Sequence, residues 1–217
     1  MPIAHFEKKI LRLLAANRNP ESFVAGATVL LGADDSHRRS QDIDLFHDAA
    51  ESVKAASEAD CVTLEENGYQ VQCDIVEPTF RRALVAQEGA ATKLEWVFDS
   101  AFRFFPVEAD AELGYALNFW DAATNKALAL AGRGELRDYL DVLHLHQRHL
   151  SLGALAWAAC GKDTGYTPHF LIEEAQLAVF VAPGRWFGNK NPIRSAATCR
   201  RRKPEVGGRR SEVGGRI

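Results

Sequence analysis

SHRRSQDIDLF, residues 36–46, sets two aspartates one residue apart inside an apolar run, directly after a basic turn that carries a hydroxyl. The alternation predicts a short strand with Ile43 and Leu45 on one face and Asp42, Asp44 and Phe46 on the other, because successive strand side chains point to opposite sides. Two carboxylates on one face repel, so the pattern costs stability unless a cation sits between them. Hard divalent cations take such oxygens as ligands. The bland alternative is a pair of solvated aspartates at a strand edge, and the surroundings decide between the two.

Upstream, FVAGATVLLGA (23–33) reads as a strand end or turn running into a buried helix. Gly26 there lets a phosphate approach the backbone closely, although an ordinary tight turn would also use it. Amides at the start of the following helix favour anions. Arg38, Arg39 and Ser40 bring charge and a hydroxyl to the same region. A glycine turn, a helix, a basic turn and a flanked aspartate pair are together far more specific than any one of them.

Beyond this core the period of the apolar residues shifts. Residues 4–16 are expected to form an amphipathic helix with charges inside it, broken by NRNPES (17–22), where Glu21 or Ser22 is expected to cap the next element. Residues 49–69 form another helix that stops near Asn67-Gly68. Residues 69–78, 79–89 and 92–107 read as successive strands separated by turn residues. The helical period returns after ELGYALNFWD (112–121), with Asp121 as the expected N-cap of 122–132. Helices are expected over 135–150, 153–161 and 168–182. The expected organisation is an α/β lobe over 1–116, a helical lobe over 117–184, and a basic tail over 185–217.

That tail holds ten Lys and Arg against two Glu, which leaves a net charge of −11 on the preceding 184 residues. An acidic body argues against a broad duplex-binding surface. The tail repeats EVGGR twice with almost no apolar periodicity, so it is expected to be disordered; an RNA-binding arm or a shifted gene end would both read this way. Apolar residues make up 47% of the chain, enough for a real core. No apolar run approaches the roughly 20 residues needed to span a bilayer. The four cysteines are scattered without metal-ligand spacing, as expected of a cytoplasmic protein. His144, His146 and His149 do not share one helical face, so exposed or capping roles are expected of them rather than metal binding.

The run GAT…RRSQDIDLF resembles the DNA polymerase β-like nucleotidyltransferase superfamily. LNFWDAATNKALALAGRGELRDYLDVLHL (117–145) narrows this to a resemblance to the AbiEii-type nucleotidyltransferase toxin family, over roughly residues 5–180. The resemblance implies an α+β fold: a polymerase β-like lobe with a small mixed sheet, followed by a C-terminal helical bundle. It implies Asp42 and Asp44 as Mg²⁺ ligands, Gly26 as the phosphate-approach glycine, and Lys126 as the triphosphate contact. It further implies that Asp141, with Asp138, orients that lysine or acts on the acceptor hydroxyl. A solvated helix residue is the bland reading of Lys126, and an ion pair of Asp138 with Arg133 or Arg137 that of the aspartates.

Ala27 stands where the superfamily places Ser or Gly, so a hydroxyl contact to phosphate would have to come from Thr28. The third carboxylate common in the superfamily is Glu95, with Asp74 as the competitor, or is absent, both then being merely polar strand-face residues. The implied function is transfer of an NMP from an NTP to an acceptor hydroxyl on tRNA or protein, by the toxin of a toxin–antitoxin pair with a cognate antitoxin as partner. The alternatives are a small-molecule, antibiotic-type nucleotidyltransferase or a module that binds nucleotide without turnover.

Overall fold

The computed structural model describes residues 5–31, 38, 40 and 42–173. Arg39, expected to bind nucleotide, and the basic tail lie outside the described residues, as does the segment of the fourth expected helix beyond 173. Residues 168–173 of that segment are helical.

A seven-stranded mixed sheet organises the chain. Its strands are β1 (Ser22–Ala25), β2 (Asp42–His47), β3 (Gln70–Val76), β4 (Phe80–Gln87), β5 (Ala90–Phe98), β6 (Glu108–Asp110) and β7 (Gly114–Ala116). They lie side by side in the order β3-β4-β5-β2-β1-β7-β6. β2 runs parallel to β5 and β1 parallel to β7, while the other neighbours are antiparallel. The two central strands thus join segments far apart in sequence, and this sets β2 between β1 and β5.

One face is covered by α1 (His5–Leu14) and α3 (Ala50–Glu66). α1 turns Ile10, Leu11 and Leu14 inward, and α3 buries Val53, Ser57, Asp60 and Leu64, spaced three and four apart as one helical face requires. Asp60 is fully buried there and fully used. Arg18 grips both of its oxygens at 2.6 and 2.7 Å, and the indole of buried Trp96 donates to it at 2.7 Å. A buried carboxylate is tolerable only with such pairing.

The remaining helices are α2 (Gly26–Leu30), α4 (Phe119–Arg133), α5 (Leu136–Arg148) and α6 (Leu152–Lys162). They share a second apolar cluster that includes Phe23, Ala25 and Leu30 with Leu117, Ala123, Ala127, Leu130, Val142 and Leu155. β1 is buried along its whole length because it contributes to both clusters: Val24 to the first, Phe23 and Ala25 to the second. The outer sheet face beyond β2 carries instead half-buried or exposed polar side chains such as Arg82, Lys93 and Glu95, with Leu84 42% exposed.

Three local expectations are corrected. Asp121 does not cap α4: Asn118 does, accepting from the Trp120 amide at 2.9 Å. Asp121 is buried in the first turn and accepts from the amides of Phe104 and Phe105 at 3.0 and 2.9 Å, tying the preceding aromatic loop to the helix. The β6–β7 hairpin occupies 108–116, where the sequence pattern predicts no strand. Glu21 and Ser22 cap no helix, since Ser22 opens β1. His146 does act at a helix end, accepting from the Leu152 amide at the start of α6.

Candidate active site

β2 alternates as its sequence demands: Ile43 and Leu45 are fully buried, while Asp42 and Asp44 are half-buried on the other face. The parallel register sets Asp42 beside Lys93 and Asp44 beside Glu95. Three carboxylates, Asp42, Asp44 and Glu95, therefore lie on one face of two adjacent strands. Asp74 is on β3, separated from β2 by β4 and β5, where Arg82 holds it at 2.6 Å and keeps its carboxyl below the usual range.

Crowding is visible in the protonation of Glu95 and Asp44. Burial, the charge of Asp44 and that of Asp42 push the Glu95 carboxyl up to about 7. Burial also raises Asp44; Lys126 pulls it back and Asp42 pushes it further up. A carboxylic acid raised in the folded state adds stability that is complete below its unfolded pKa, here 4.5, and is lost as pH rises through the folded value near 7. Between about pH 4.5 and 8, metal-free wild type should therefore lose stability relative to Glu95→Gln. Thermal melts of the two proteins across that range check this, and parallel curves would count against it.

Gly26 sits at the junction of β1 and α2 with φ +64°. A Cβ at this position would stand 1.8 Å from Oδ2 of Asp44 and 2.6 Å from its Cγ. The missing side chain thus makes room for the aspartate, a role the sequence did not disclose. The hydroxyls of Thr28 and Ser40 both donate to the Asp42 carbonyl, at 3.4 and 2.8 Å, so they brace the start of β2. Ala27 is buried at the start of α2.

The second half of the site comes from α4 and α5. Lys126 is buried, not solvated. Its Nζ lies 3.0 Å from Asp138 and 3.2 Å from Asp141, both buried on the inner face of α5. Arg133 closes on Asp138 with two bonds of 2.6 and 2.9 Å, and its guanidinium is held above its ordinary pKa by that hydrogen bonding. Arg38 reaches Asp141 with two bonds of 2.7 and 2.6 Å. The result is an alternating chain, Arg133–Asp138–Lys126–Asp141–Arg38, which joins α4 and α5 to the basic turn before β2. Lys126 is also near enough to Asp44 for its charge to lower that carboxyl. Arg137 bonds Asp42 at 3.3 Å from the first turn of α5. Sequence reasoning did not assign Lys93, Arg133 or Arg137 to the site. Lys93 was within reach of it, two residues before Glu95 on the same strand face.

The family description "Nucleotidyl transferase AbiEii toxin, Type IV TA system" matches residues 11–177. The chain belongs to this family. It is a nucleotidyltransferase of the AbiEii toxin family, with the polymerase β-like fold. Two solved structures are similar in fold at 16% sequence identity. JHP933 from Helicobacter pylori aligns over 82% of this chain and 90% of its own, with a TM-score of 0.51. The MenT4 nucleotidyltransferase toxin of Mycobacterium tuberculosis aligns over 71% of this chain and 61% of its own, with a TM-score of 0.56. No curated protein matches the sequence. Among the described residues, no helix is long and apolar enough to cross a membrane.

AbiEii membership raises the question of whether these residues suit a divalent metal with a nucleotide. Among the described residues, no three His, Cys, Asp or Glu side chains form a ready cage. Mg²⁺ does not need one, because it is commonly bound through one or two carboxylates plus the substrate's phosphates. The Asp44 carboxylate has no hydrogen-bond partner among the described residues, its carboxyl is raised, and Asp42 stands on the same strand face. An all-oxygen pair whose Asp44 carboxylate has no side-chain partner of its own fits a hard cation.

Proposed function

We propose that the space between the β2–β5 carboxylates and the α4–α5 lysine–aspartate network binds an NTP with Mg²⁺, and that the protein transfers the nucleotidyl group to an acceptor hydroxyl. The observation that carries this reading is that Asp42, Asp44 and Glu95 share one sheet face, with the buried ammonium of Lys126 electrostatically coupled to Asp44. Asp42 and Asp44 hold the metal, with Glu95 alongside. When bound, the metal supplies charge neutralisation at the reacting phosphates.

Lys126 offers the triphosphate a compact positive charge, and Asp138 and Asp141 fix where that charge points. Arg38 and Ser40 stand on the basic turn that approaches the phosphates, and Gly26, Ala27 and Thr28 shape the wall behind Asp44. Glu95, beside Asp44 in the sheet register, is placed to take a proton from an attacking hydroxyl. The family's toxin role supports a cytoplasmic enzyme with a cognate antitoxin, whose acceptor is tRNA or a protein hydroxyl.

Two measurements test the reading. Mg²⁺ with an NTP should raise the melting temperature of wild type, and Asp42→Asn combined with Asp44→Asn should abolish that rise while leaving the protein folded. An undiminished rise in the double variant would move the metal elsewhere. Incubation with each labelled NTP and total tRNA should then transfer label to RNA. Label on the protein fraction instead would identify a protein acceptor, and label on neither would refute a macromolecular acceptor.

A further inference from the structure

Asp42, one of the two aspartates assigned to the metal, is already engaged by two cations. Arg137 Nη1 lies 3.3 Å from its Oδ2, and Lys93 Nζ lies 3.9 Å from its Oδ1. The two contacts differ in kind. Lys93 neighbours Asp42 in the sheet register and is fixed to the strand floor. Arg137 arrives from α5, 95 residues away in sequence, and is 42% exposed. Its Nε is held by Glu135 at 2.7 Å, so its guanidinium has an anchor besides Asp42.

Arg137 is set apart from the arginines beside it. Arg133 and Arg38 each spend a bidentate fork on Asp138 or Asp141 and belong to the ion-pair chain that fixes Lys126. Arg137 makes one long contact to the strand carboxylate, the contact a metal would compete with. A half-exposed single bond of this kind is weak, so it can be given up. A guanidinium freed beside a triphosphate site has phosphate oxygens as its natural new partners, because its planar fork matches them.

We propose that Arg137 is a stand-in cation, holding Asp42 while the metal is absent and passing to the triphosphate when metal and nucleotide arrive together. This rests on Asp42 being a metal ligand, as in the function proposed above. It makes a specific statement about order: metal alone must compete with Arg137 for Asp42, whereas metal with a triphosphate gives the guanidinium somewhere to go. The protein therefore discriminates against the bare ion and in favour of the metal–nucleotide.

The test uses binding, not turnover, with the full chain and probes that do not depend on the base. Mn²⁺ alone and Mn²⁺ with inorganic tripolyphosphate are titrated into wild type, Arg137→Gln and Arg137→Lys, with free Mn²⁺ followed by electron paramagnetic resonance. Arg137→Gln should bind Mn²⁺ alone roughly two- to fivefold tighter, since one competing charge is gone, and Mn–tripolyphosphate roughly tenfold weaker, since one charge-assisted phosphate contact is gone. Arg137→Lys should fall between. Opposite signs for the two probes are the signature, because a merely structural loss moves both the same way. If wild type binds Mn²⁺ through Asp42 and Asp44 but the two affinities of Arg137→Gln shift together or not at all, the stand-in role is overturned and the metal reading survives. If wild-type uptake persists in the Asp42→Asn, Asp44→Asn double variant, or wild type takes up Mn²⁺ neither alone nor with tripolyphosphate, the metal reading falls and the stand-in role with it.

Discussion

Lys126→Ala should slow nucleotide transfer by a factor on the order of 10²–10³, the loss expected when one preorganised charge contact to a reacting phosphate disappears, about 3–4 kcal/mol of barrier. The structure adds a stability cost that a solvated lysine would not carry. Nζ sits between two buried carboxylates at 3.0 and 3.2 Å, and removing it leaves both short of one partner. Asp138 keeps Arg133 and Asp141 keeps Arg38, so the penalty should stop at about 1–3 kcal/mol and the protein should stay folded. Arginine at 126 should rescue only in part, because a planar fork cannot take the place of a compact ammonium in a slot already flanked by two other arginines. Transfer rates measured beside thermal melts separate the two effects. A folded Lys126→Ala protein with wild-type rates would remove Lys126 from the chemistry.

Gly26→Ala should damage the site far beyond the size of one methyl group. It meets two independent penalties. A non-glycine residue at φ +64° costs about 1–2 kcal/mol. The new Cβ would also be 1.8 Å from Asp44 Oδ2, so the carboxylate must leave its place. The first penalty lowers the melting temperature by a few degrees. The second should abolish the metal-dependent rise in melting temperature and reduce transfer by at least about 10², since about 1 Å of misplacement at a reacting centre can cost that much. Gly134→Ala provides the control: it also has φ +60°, but nothing stands within 4 Å of the added Cβ. Its loss should be confined to stability. Equal damage to transfer in both variants would show that backbone strain, not the displaced Asp44, is responsible.

These two residues also show where sequence reading succeeds and where it stops. The faces of β2 were legible because a strand alternates with a period of two, so Asp42 and Asp44 could be paired without any knowledge of the fold. The acid beside them was not legible, because Glu95 and Asp74 both alternate acceptably on their own strands and only the β2–β5 register distinguishes them. Gly26 stood out as a special position, but what fills the space beside it is a side chain 18 residues away, which no local pattern encodes. Lys126 was assigned to the triphosphate through the family resemblance, whereas its burial between Asp138 and Asp141 comes from α5 and is not encoded by its own neighbours. The hairpin at 108–116 escaped because three-residue strands containing Glu108 and Asp110 have no apolar signature; pairing to β1 defines it. Asp121 reads as a cap because it immediately precedes an alanine-rich run, whereas the helix has already begun at Asn118.

The parallel pairing of β1 with β7 has a consequence for the order in which the enzyme comes into being. Val24 meets Ala116, and the Leu117 amide bonds the Val24 carbonyl, so one edge of β1 has no partner until the ribosome has passed residue 117. By then Asp42, Asp44 and Glu95 have all been made and β2 can already lie beside β5. Lys126, Asp138 and Asp141 come only afterwards. A chain that has not yet reached residue 126 therefore carries the acids without the lysine, and the candidate site has its full set of side chains only once residue 141 has been made.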